Sequence, residues 1–447
     1  MALRIYNTLS QKEELFTPQK DNLVSLYSCG PTVYGYVHIG NLRTQTFSDT
    51  LRRTLTYLGY GVTQVINITD VDDKTIKGSA MERLPLSEFT KKYETLFFRD
   101  TERMNILRPN ITPRATEYIS EMISLIERLI EKKLAYKADD GIYFDIAKSD
   151  EYGELAQLEK RTDTKSRITK DEYDKENAND FALWKFYREE DGDAVWPAPF
   201  GKGRPGWHIE CSAMSMKNLG ETIDIHTGGM DLIFPHHTNE IAQSEGVTGK
   251  KFVRYWMHSG FINMENEKMA KSIGNIITLD KIIEKGFDPL SYRYLLLGIH
   301  YRKQTNFSWE ALEGARNALE KLYARFLELG NASGAINKQF KKKFTASLQN
   351  DLNTPIALSI IWEVLDSNLT KEDKKTTLLD FDKVLGLGLE KLTAIKIPME
   401  VLELAGKRER ARSSKNWALA DEIRQEMEGL DYTVSDTDIG PQIRPKK

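Results

Sequence analysis

The sequence predicts an α/β protein: a doubly wound parallel sheet interrupted by an insertion, followed by a helical bundle and a small C-terminal domain. Three observations lead there. The apolar runs LVSLYS and VTQVINIT flank a segment in which Phe47, Leu51, Leu55 and Leu58 recur at helical spacing, the strand, helix, strand order of a parallel sheet. A polar stretch and the Pro/Gly-rich WPAPFGKGRPGW then separate this unit from further mixed segments. Toward the C-terminus helical periodicity takes over, and a chain of 447 residues has room for about three domains of ~150 residues each.

The first strand is expected at Leu23 to Ser28, and the helix behind it opens near His38 to Asn41. After the second strand, NITDVDDK leaves the sheet edge. Ligands of open α/β sheets sit beyond the carboxyl ends of strands, where Cys29, His38 and Thr69 fall. From Arg114 a helix carries Ile119, Met122, Ile123, Ile126 and Ile130 on one face, and LAYKADDGIYFDI reads as a hairpin turning at Asp140-Gly141. This region and the polar stretch to about Phe200 interrupt the sheet. The sheet then resumes, returning Trp207, Cys211, Asp231 and the His236 region to the same pocket. YRYLLLG and WEALEGARNALEKLYARFLEL are helical, GNASGAIN is a polar loop, and DLNTPIALSIIWEVL continues a bundle. In the tail, NWALADEIRQEMEG places Leu419, Ile423 and Met427 on one stripe and stops at Gly429.

The two cysteines of the chain, Cys29 and Cys211, both stand where a metal ligand is useful. Zinc takes soft thiolate, imidazole and carboxylate donors, and Cys29, Cys211, one of His236 or His237, and Glu240 supply that set. On a helix His236 and Glu240 share a face, with His237 at a less favourable angle. Two ordinary buried core cysteines are the alternative. In YVHIGN, Gly40 at a helix start lets a nucleotide approach the backbone, the helix N-terminus favours phosphate, and His38 can donate to it. Downstream, MENEKMAKSIGN places Lys268 and Lys271 on a loop, able to hold a triphosphate and neutralise charge on departing pyrophosphate.

HIGN and KMAKS together resemble the HIGH and KMSKS signatures of class I aminoacyl-tRNA synthetases. More narrowly, CGPTVYGYVHIGN, NITDVDDK, NILRP, DFALWK, GRPGWHIECSAM, DIHTGGMDLIFPHHTNEIAQSE, YWMHSG, KMAKSIGN and DLNTP resemble cysteinyl-tRNA synthetases over almost the whole chain. The resemblance implies a Rossmann-like catalytic domain and the activation of cysteine by ATP followed by transfer to tRNA(Cys). One zinc ion per chain would be held by Cys29, Cys211, His236 and Glu240, which favours His236 over His237. It implies ATP contacts from His38, Gly40, Asn41, Lys268 and Lys271, with His38 and the two lysines catalytic. Gly30, Thr69, Trp207 and Asp231 would contact the amino acid, Asp231 pairing with its ammonium group. Magnesium would arrive with ATP, without an assigned protein ligand. Three positions depart from the family pattern: Asn41 replaces the last His of HIGH, Ala270 the first Ser of KMSKS, and Thr238 the Glu of HHENE.

The expected organisation is 1–113 and 201–260 as the two halves of the nucleotide-binding domain, 114–200 as the connective insertion and 261–310 as the KMSKS-type loop and stem-contact region. Residues 311–390 form a tRNA-binding bundle and 391–447 a small anticodon-recognition domain. The net charge of -3 neither favours nor excludes nucleic acid, and KQFKKK at 338–343, KRERAR at 407–412, and Arg444, Lys446 and Lys447 are candidate basic strips. No apolar run approaches the ~20 residues needed to span a bilayer, and MALRIYNTLS lacks the pattern of a signal peptide. A cytoplasmic monomer is expected, in a compartment reducing enough to keep both thiols free. A relative that ligates cysteine to an amino sugar shares the pocket motifs. The tail discriminates, because a small acceptor has no use for it.

Overall fold

The computed structural model describes residues 2–149, 151–158, 180–264, 267–268, 276–392, 398–437 and 440–445. They fall into two units, Met1–Glu390 and Lys391–Lys447.

The larger unit is built on a four-stranded parallel sheet in the order Val253–Ser259, Ile223–Gly229, Leu23–Ser28, Gly61–Ile66. Strand order reverses between Leu23–Ser28 and Ile223–Gly229, where Leu26 lies beside Ile225, Tyr27 beside His226 and Ser28 beside Thr227. A crevice opens beyond the carboxyl ends of strands at such a reversal. Alternation along the first strand fills both faces. Val24 and Leu26 pack with Phe47, Leu51, Leu55, Ile225 and Met257 under the helix Ile39–Tyr57, while Tyr27 packs with Val65, Ile223, Val253 and Trp256 on the opposite side. The expected helical stripe is thus the observed contact, with Leu58 at its half-buried end.

The chain between the second and third parallel strands forms its own layer. The helix Ile119–Glu131 buries Ile119, Met122 and Ile126 as expected, but its stripe also takes in Leu125 and Leu129, while Ile123 and Ile130 lie at the margin. Ala135–Lys137, Gly141–Phe144, Phe181–Phe186 and Gly203–Pro205 pair as an antiparallel sheet, whose last strand runs past residue 200. The hairpin turns one residue earlier than the Asp140-Gly141 expectation. Ala138 N–H donates to the Gly141 carbonyl at 2.8 Å, and Gly141 is already a strand residue opposite Lys185.

After the parallel sheet, Ile262–Met264 pairs with Thr305–Phe307 and with Glu267–Lys268. The helices Pro289–Leu297, Trp309–Leu327, Lys338–Gln349, Thr354–Asp366 and Lys371–Leu385 follow. A buried charge cluster ties them to the sheet-covering helix. Arg293, with no exposed surface, donates to Asp49 at 2.6 Å and to the carbonyls of Leu385 and Met104 at 2.7 and 3.1 Å. Arg53 donates to Asp49 at 2.8 Å. Leaving any one of these groups alone in the interior would expose an unpaired buried charge.

The small unit holds the helices Met399–Ser413 and Trp417–Gly429 and the hairpin Tyr432–Thr437 with Gly440–Pro445. Its core joins Val401, Leu404, Ala405, Ile423, Met427 and Val434. Leu419 is not on the buried stripe: it is 42% exposed, and Ala420 takes the inward position at 2%. Ala420, Ile423 and Met427 follow the i, i+3, i+7 rule, which the smaller alanine satisfies where leucine was expected.

Candidate active site

Cys29 follows the first strand and is fixed there by its N–H, which donates to the Thr227 carbonyl at 3.1 Å. Cys211 lies in the second turn of the helix Trp207–Leu219. His236 and His237 end an irregular helical turn, Ile233–His237, in which Phe234 is extended, and Glu240 stands in the first turn of the helix Thr238–Thr248. These elements meet at the strand-order reversal. The Cys29 and Cys211 sulfurs are 4.0 Å apart, Glu240 Oε1 is 3.8 Å from Cys29 Sγ, and His236 Nε2 is 3.1 Å from the same carboxylate oxygen.

Two overlapping sets of ligand atoms each lie within 4.8 Å of one another: Cys29, Cys211, His236 and Glu240, and Cys29, His226, His237 and Glu240. All are buried. His237 Nε2 approaches Cys29 Sγ to 3.3 Å, so both neighbouring histidines reach the sulfur-carboxylate centre. Both sets carry partners of their own: in the first, His236 Nδ1 is 3.0 Å from His208 Nδ1. In the second, His226 Nε2 is 3.0 Å from Glu240 Oε2, and His237 Nδ1 is 2.8 Å from His258 Nε2. His226 thereby occupies one carboxylate oxygen and leaves Oε1 facing the sulfurs. The set with two sulfurs, one imidazole and one carboxylate oxygen has the donor chemistry of a borderline-soft cation such as zinc.

The electrostatics sort these groups. Contact with the Cys29 sulfur pulls the Cys211 thiol down to about 6, against burial and Glu240 and with help from His236. Burial, then the Cys211 sulfur and Glu240, push Cys29 well up. Of the two thiols, Cys211 is the one that gives up its proton more readily. Burial opposes charge on His236, but Cys211 and Glu240 outweigh it and raise its affinity for a proton. His208 and His237 are pushed well down by burial and by neighbouring imidazoles, and burial with His226 takes His258 to about 3. These three rings are neutral hydrogen-bonding groups at neutral pH.

The remaining expected residues are distributed around this centre. The Trp207 ring stacks on His236 with centroids 4.3 Å apart, making a half-buried wall. Asp231 is exposed just past the end of the third strand. Gly30 N–H donates to Asn67 Oδ1 at 2.9 Å, and Thr69 Oγ1 donates to Glu210 Oε2 at 3.0 Å. His38 caps the helix Ile39–Tyr57: Asn41 N–H donates to its Nδ1 at 3.3 Å, and its own N–H donates to Asn41 Oδ1 at 3.1 Å. Asn41, in place of the histidine of the signature, thus closes a reciprocal cap. A Cβ on Gly40 would come within 2.9 Å of the His38 ring, so the glycine lets the imidazole lie across the helix start. Lys268 ends the short strand Glu267–Lys268, while Ala270, Lys271, Ser272 and Gly274 lie outside the described residues.

Sequence reasoning missed the outer ring of the centre: His208, His226 and His258 are isolated in the sequence, and only the sheet register brings them together. It also left NITDVDDK unexplained. Asp70 accepts from Thr116 N–H at 2.9 Å and from its hydroxyl, Asp72 caps the helix Asp73–Glu82, and Asp73 pairs with Lys185 at 3.0 Å and with Arg204. This acidic run fastens the parallel sheet to the insertion.

The profile of the tRNA synthetases class I (C) catalytic domain matches residues 15–317. The chain is 45% identical to the cysteine–tRNA ligase of Chlamydia pneumoniae, covering 99% of this chain and 98% of that relative. The chain belongs to the cysteinyl-tRNA synthetase family. Identity to the cysteine–tRNA ligase of Caldicellulosiruptor saccharolyticus is 43%, covering 99% of each chain. Membership makes it a ligase of the class I aminoacyl-tRNA synthetases, whose substrates are an amino acid, ATP and tRNA. Among solved structures, Mycobacterium tuberculosis methionyl-tRNA synthetase with methionyl-adenylate matches with TM-score 0.56 at 14% identity, over 82% of this chain and 90% of that one. The Agrobacterium radiobacter K84 agnB2 LeuRS-tRNA-LeuAMS complex matches with TM-score 0.61 at 11% identity, over 83% and 84%. These two likenesses support the Rossmann-like synthetase fold. Among the described residues, no helix is long and apolar enough to cross a membrane.

The basic strips are less free than they read in sequence. Lys341 pairs with Asp380 at 3.1 Å and Lys343 with Glu363 at 2.7 Å, both within the bundle. Arg408 is buried, and the Arg412 guanidinium lies over the Trp417 ring. The side chain of Arg444 and both Lys446 and Lys447 lie outside the described residues.

Proposed function

We propose that the chain selects cysteine through a zinc ion held by Cys29, Cys211, His236 and Glu240, and transfers it as cysteinyl-adenylate to the terminal ribose of tRNA(Cys). The convergence of two sulfurs, an imidazole and a carboxylate within 4.8 Å carries this reading. Zinc bound there would supply a soft partner for a thiolate, which serine's hydroxyl matches poorly. Such discrimination is needed because sulfur for oxygen is too small a change for an apolar pocket to separate strongly.

The surrounding residues divide the remaining work. The Trp207 wall, Gly30 and Thr69 enclose the amino acid, and Asp231 offers a carboxylate to its ammonium group. A carboxylate oxygen of cysteine attacks the α-phosphorus of ATP, and the bond to pyrophosphate breaks. His38, with its ring lying across the helix start, and the adjacent N–H groups near Gly40 and Asn41 hold phosphate oxygens. Lys268 and Lys271 neutralise charge on the departing pyrophosphate, with magnesium carried by the nucleotide. A ribose hydroxyl then attacks the adenylate carbonyl and AMP leaves. No protein nucleophile is needed, since proximity and charge stabilisation suffice for both transfers. On this reading residues 311–390 and 391–447 carry tRNA contacts, and one chain serves one tRNA as a monomer.

The test is charging of purified tRNA(Cys) with labelled cysteine, run beside an amino-sugar acceptor, with metal content measured on the same sample. Label in tRNA and one zinc per chain is the expected result. Label in the sugar alone would overturn the proposed acceptor, and full activity after complete removal of metal would overturn the selection mechanism.

A further inference from the structure

One hydrogen-bonded chain joins the two halves of the proposed amino-acid pocket. The Asn67 amide, 1% exposed, has both of its groups committed: Oδ1 accepts from Gly30 N–H at 2.9 Å, and Nδ2 donates to Thr69 Oγ1 at 3.2 Å. Thr69 in turn donates its hydroxyl hydrogen to Glu210 Oε2 at 3.0 Å. The Asn67 backbone presses on the same turn, because a Cβ on Gly30 would run into its carbonyl. The backbone N–H of Thr69 donates to the Pro31 carbonyl at 3.1 Å, and its carbonyl accepts from Val33 N–H at 3.1 Å, so the two strand ends lie flush.

The direction of each bond is dictated by chemistry. Gly30 N–H can only donate, so the amide must present its oxygen there and its nitrogen to Thr69. The Thr69 oxygen accepts from that nitrogen, which leaves its hydrogen for Glu210. Glu210 is fully buried on the helix that carries Cys211, and its Oε1 has no hydrogen-bond partner among the described residues. Three segments distant in sequence are thereby held at one spacing by groups outside the proposed nucleotide and metal contacts. Cys29 and Gly30, Thr69, and the turn bearing Cys211 are the parts so held.

We infer that Asn67 and Glu210 are positioning residues for cysteine, setting the separation between the sulfur-binding centre and the Gly30/Thr69 wall. This deepens the reading proposed above and rests on it. Losing a link lets the two walls separate without disturbing the nucleotide end of the site, where His38 and Asn41 cap their helix through their own reciprocal bonds.

Steady-state pyrophosphate exchange on the full chain, with cysteine binding followed by calorimetry and zinc content by mass spectrometry, tests this. Asn67→Ala and Glu210→Ala are each expected to raise the cysteine KM and Kd about tenfold or more, with ATP KM within about twofold of the starting protein. Glu210→Gln, which keeps an oxygen for Thr69, should recover most of the Glu210→Ala loss, and all variants should retain their zinc. A purely architectural role predicts otherwise. Unchanged cysteine KM, a parallel rise in ATP KM, or a Glu210→Gln variant as impaired as Glu210→Ala would each overturn the inference. If Asn67→Ala fails to fold, the two Glu210 variants decide the matter alone. An unsubstituted protein that exchanges pyrophosphate without responding to cysteine would instead overturn the function proposed above.

Discussion

At the scale of single residues, Cys211 is the proposed ligand most open to test. Its sulfur has the lowered affinity for protons, so its loss would remove the more readily ionised of the two proposed sulfur donors. Cys211→Ala should lower zinc content and cysteine activation by at least about tenfold while sparing ATP binding, a pattern that exchange kinetics and metal analysis separate. Lys271→Ala should slow adenylate formation about a hundredfold with little change in cysteine affinity, as for loss of one electrostatic stabiliser of the transition state. Single-turnover kinetics would show it, and an unaltered rate would remove Lys271 from the proposed mechanism. Ala270→Ser should change that rate far less, by no more than ~1 kcal/mol, the worth of one neutral hydrogen bond. Residue identity was legible where chemistry is rare: the two cysteines and Glu240 could be named from the sequence. Between His236 and His237 helical spacing and the family resemblance favour His236, whereas in the structure both rings reach the centre. Periodicity places them on one regular helix, whereas Phe234 adopts φ -136° and ψ 132° just before them, and ring direction follows from that break.

At the scale of elements, the helix Ile39–Tyr57 has two duties: its first turn carries His38 and Gly40, and its middle carries Asp49 into the Arg293 cluster. Burial alone would raise the Asp49 carboxyl, but Arg293 and Arg53 more than offset it and hold it below the usual carboxylate range. Burial lowers Arg293 as well, with Asp49 opposing, yet a guanidinium starts so high that it stays charged at any working pH. The linkage therefore belongs to Asp49. Its contribution is complete above the unfolded value of about 4 and is lost as pH falls through the lower folded value. Arg293→Leu should cost about 3 kcal/mol near neutral pH, because it leaves the buried Asp49 carboxylate with only Arg53 and the Leu107 N–H, and should reduce this acid-side loss of stability. Urea titrations at several pH values would measure both. A variant with an unchanged acid limb would place the linkage elsewhere. Element existence was readable from the spacing of Phe47, Leu51 and Leu55. The insertion's stripe shifted because Leu125 and Leu129 are also apolar, and a helix covered on two sides offers no single sharp face to periodicity.

At the scale of the whole molecule, every residue of the proposed pocket comes from Met1–Glu390, while Lys391–Lys447 has a core of its own. Ending the chain at residue 390 should leave cysteine-dependent pyrophosphate exchange within a few-fold of the full chain and depress tRNA charging strongly. It should also flatten the salt dependence of charging, since fewer phosphate contacts release fewer counterions. Equal losses in both assays would make the tail a support for the larger unit. Sheet order was only partly legible: strand positions follow from apolar runs, but their order depends on which distant segment returns to the first strand.

That return has a consequence for how the site comes into being. Cys29 and Cys211 are separated by 182 positions, and the insertion lies wholly between them. A growing chain can complete the first two strands and still possess only one sulfur of its centre. Closing so long a loop carries an entropic cost that grows slowly with length and is met only when Ile223–Gly229 pairs beside Leu23–Ser28. The four donors therefore converge only after that pairing, late in the assembly of the sheet. A truncated or misassembled chain lacks the centre proposed to distinguish one amino acid from another.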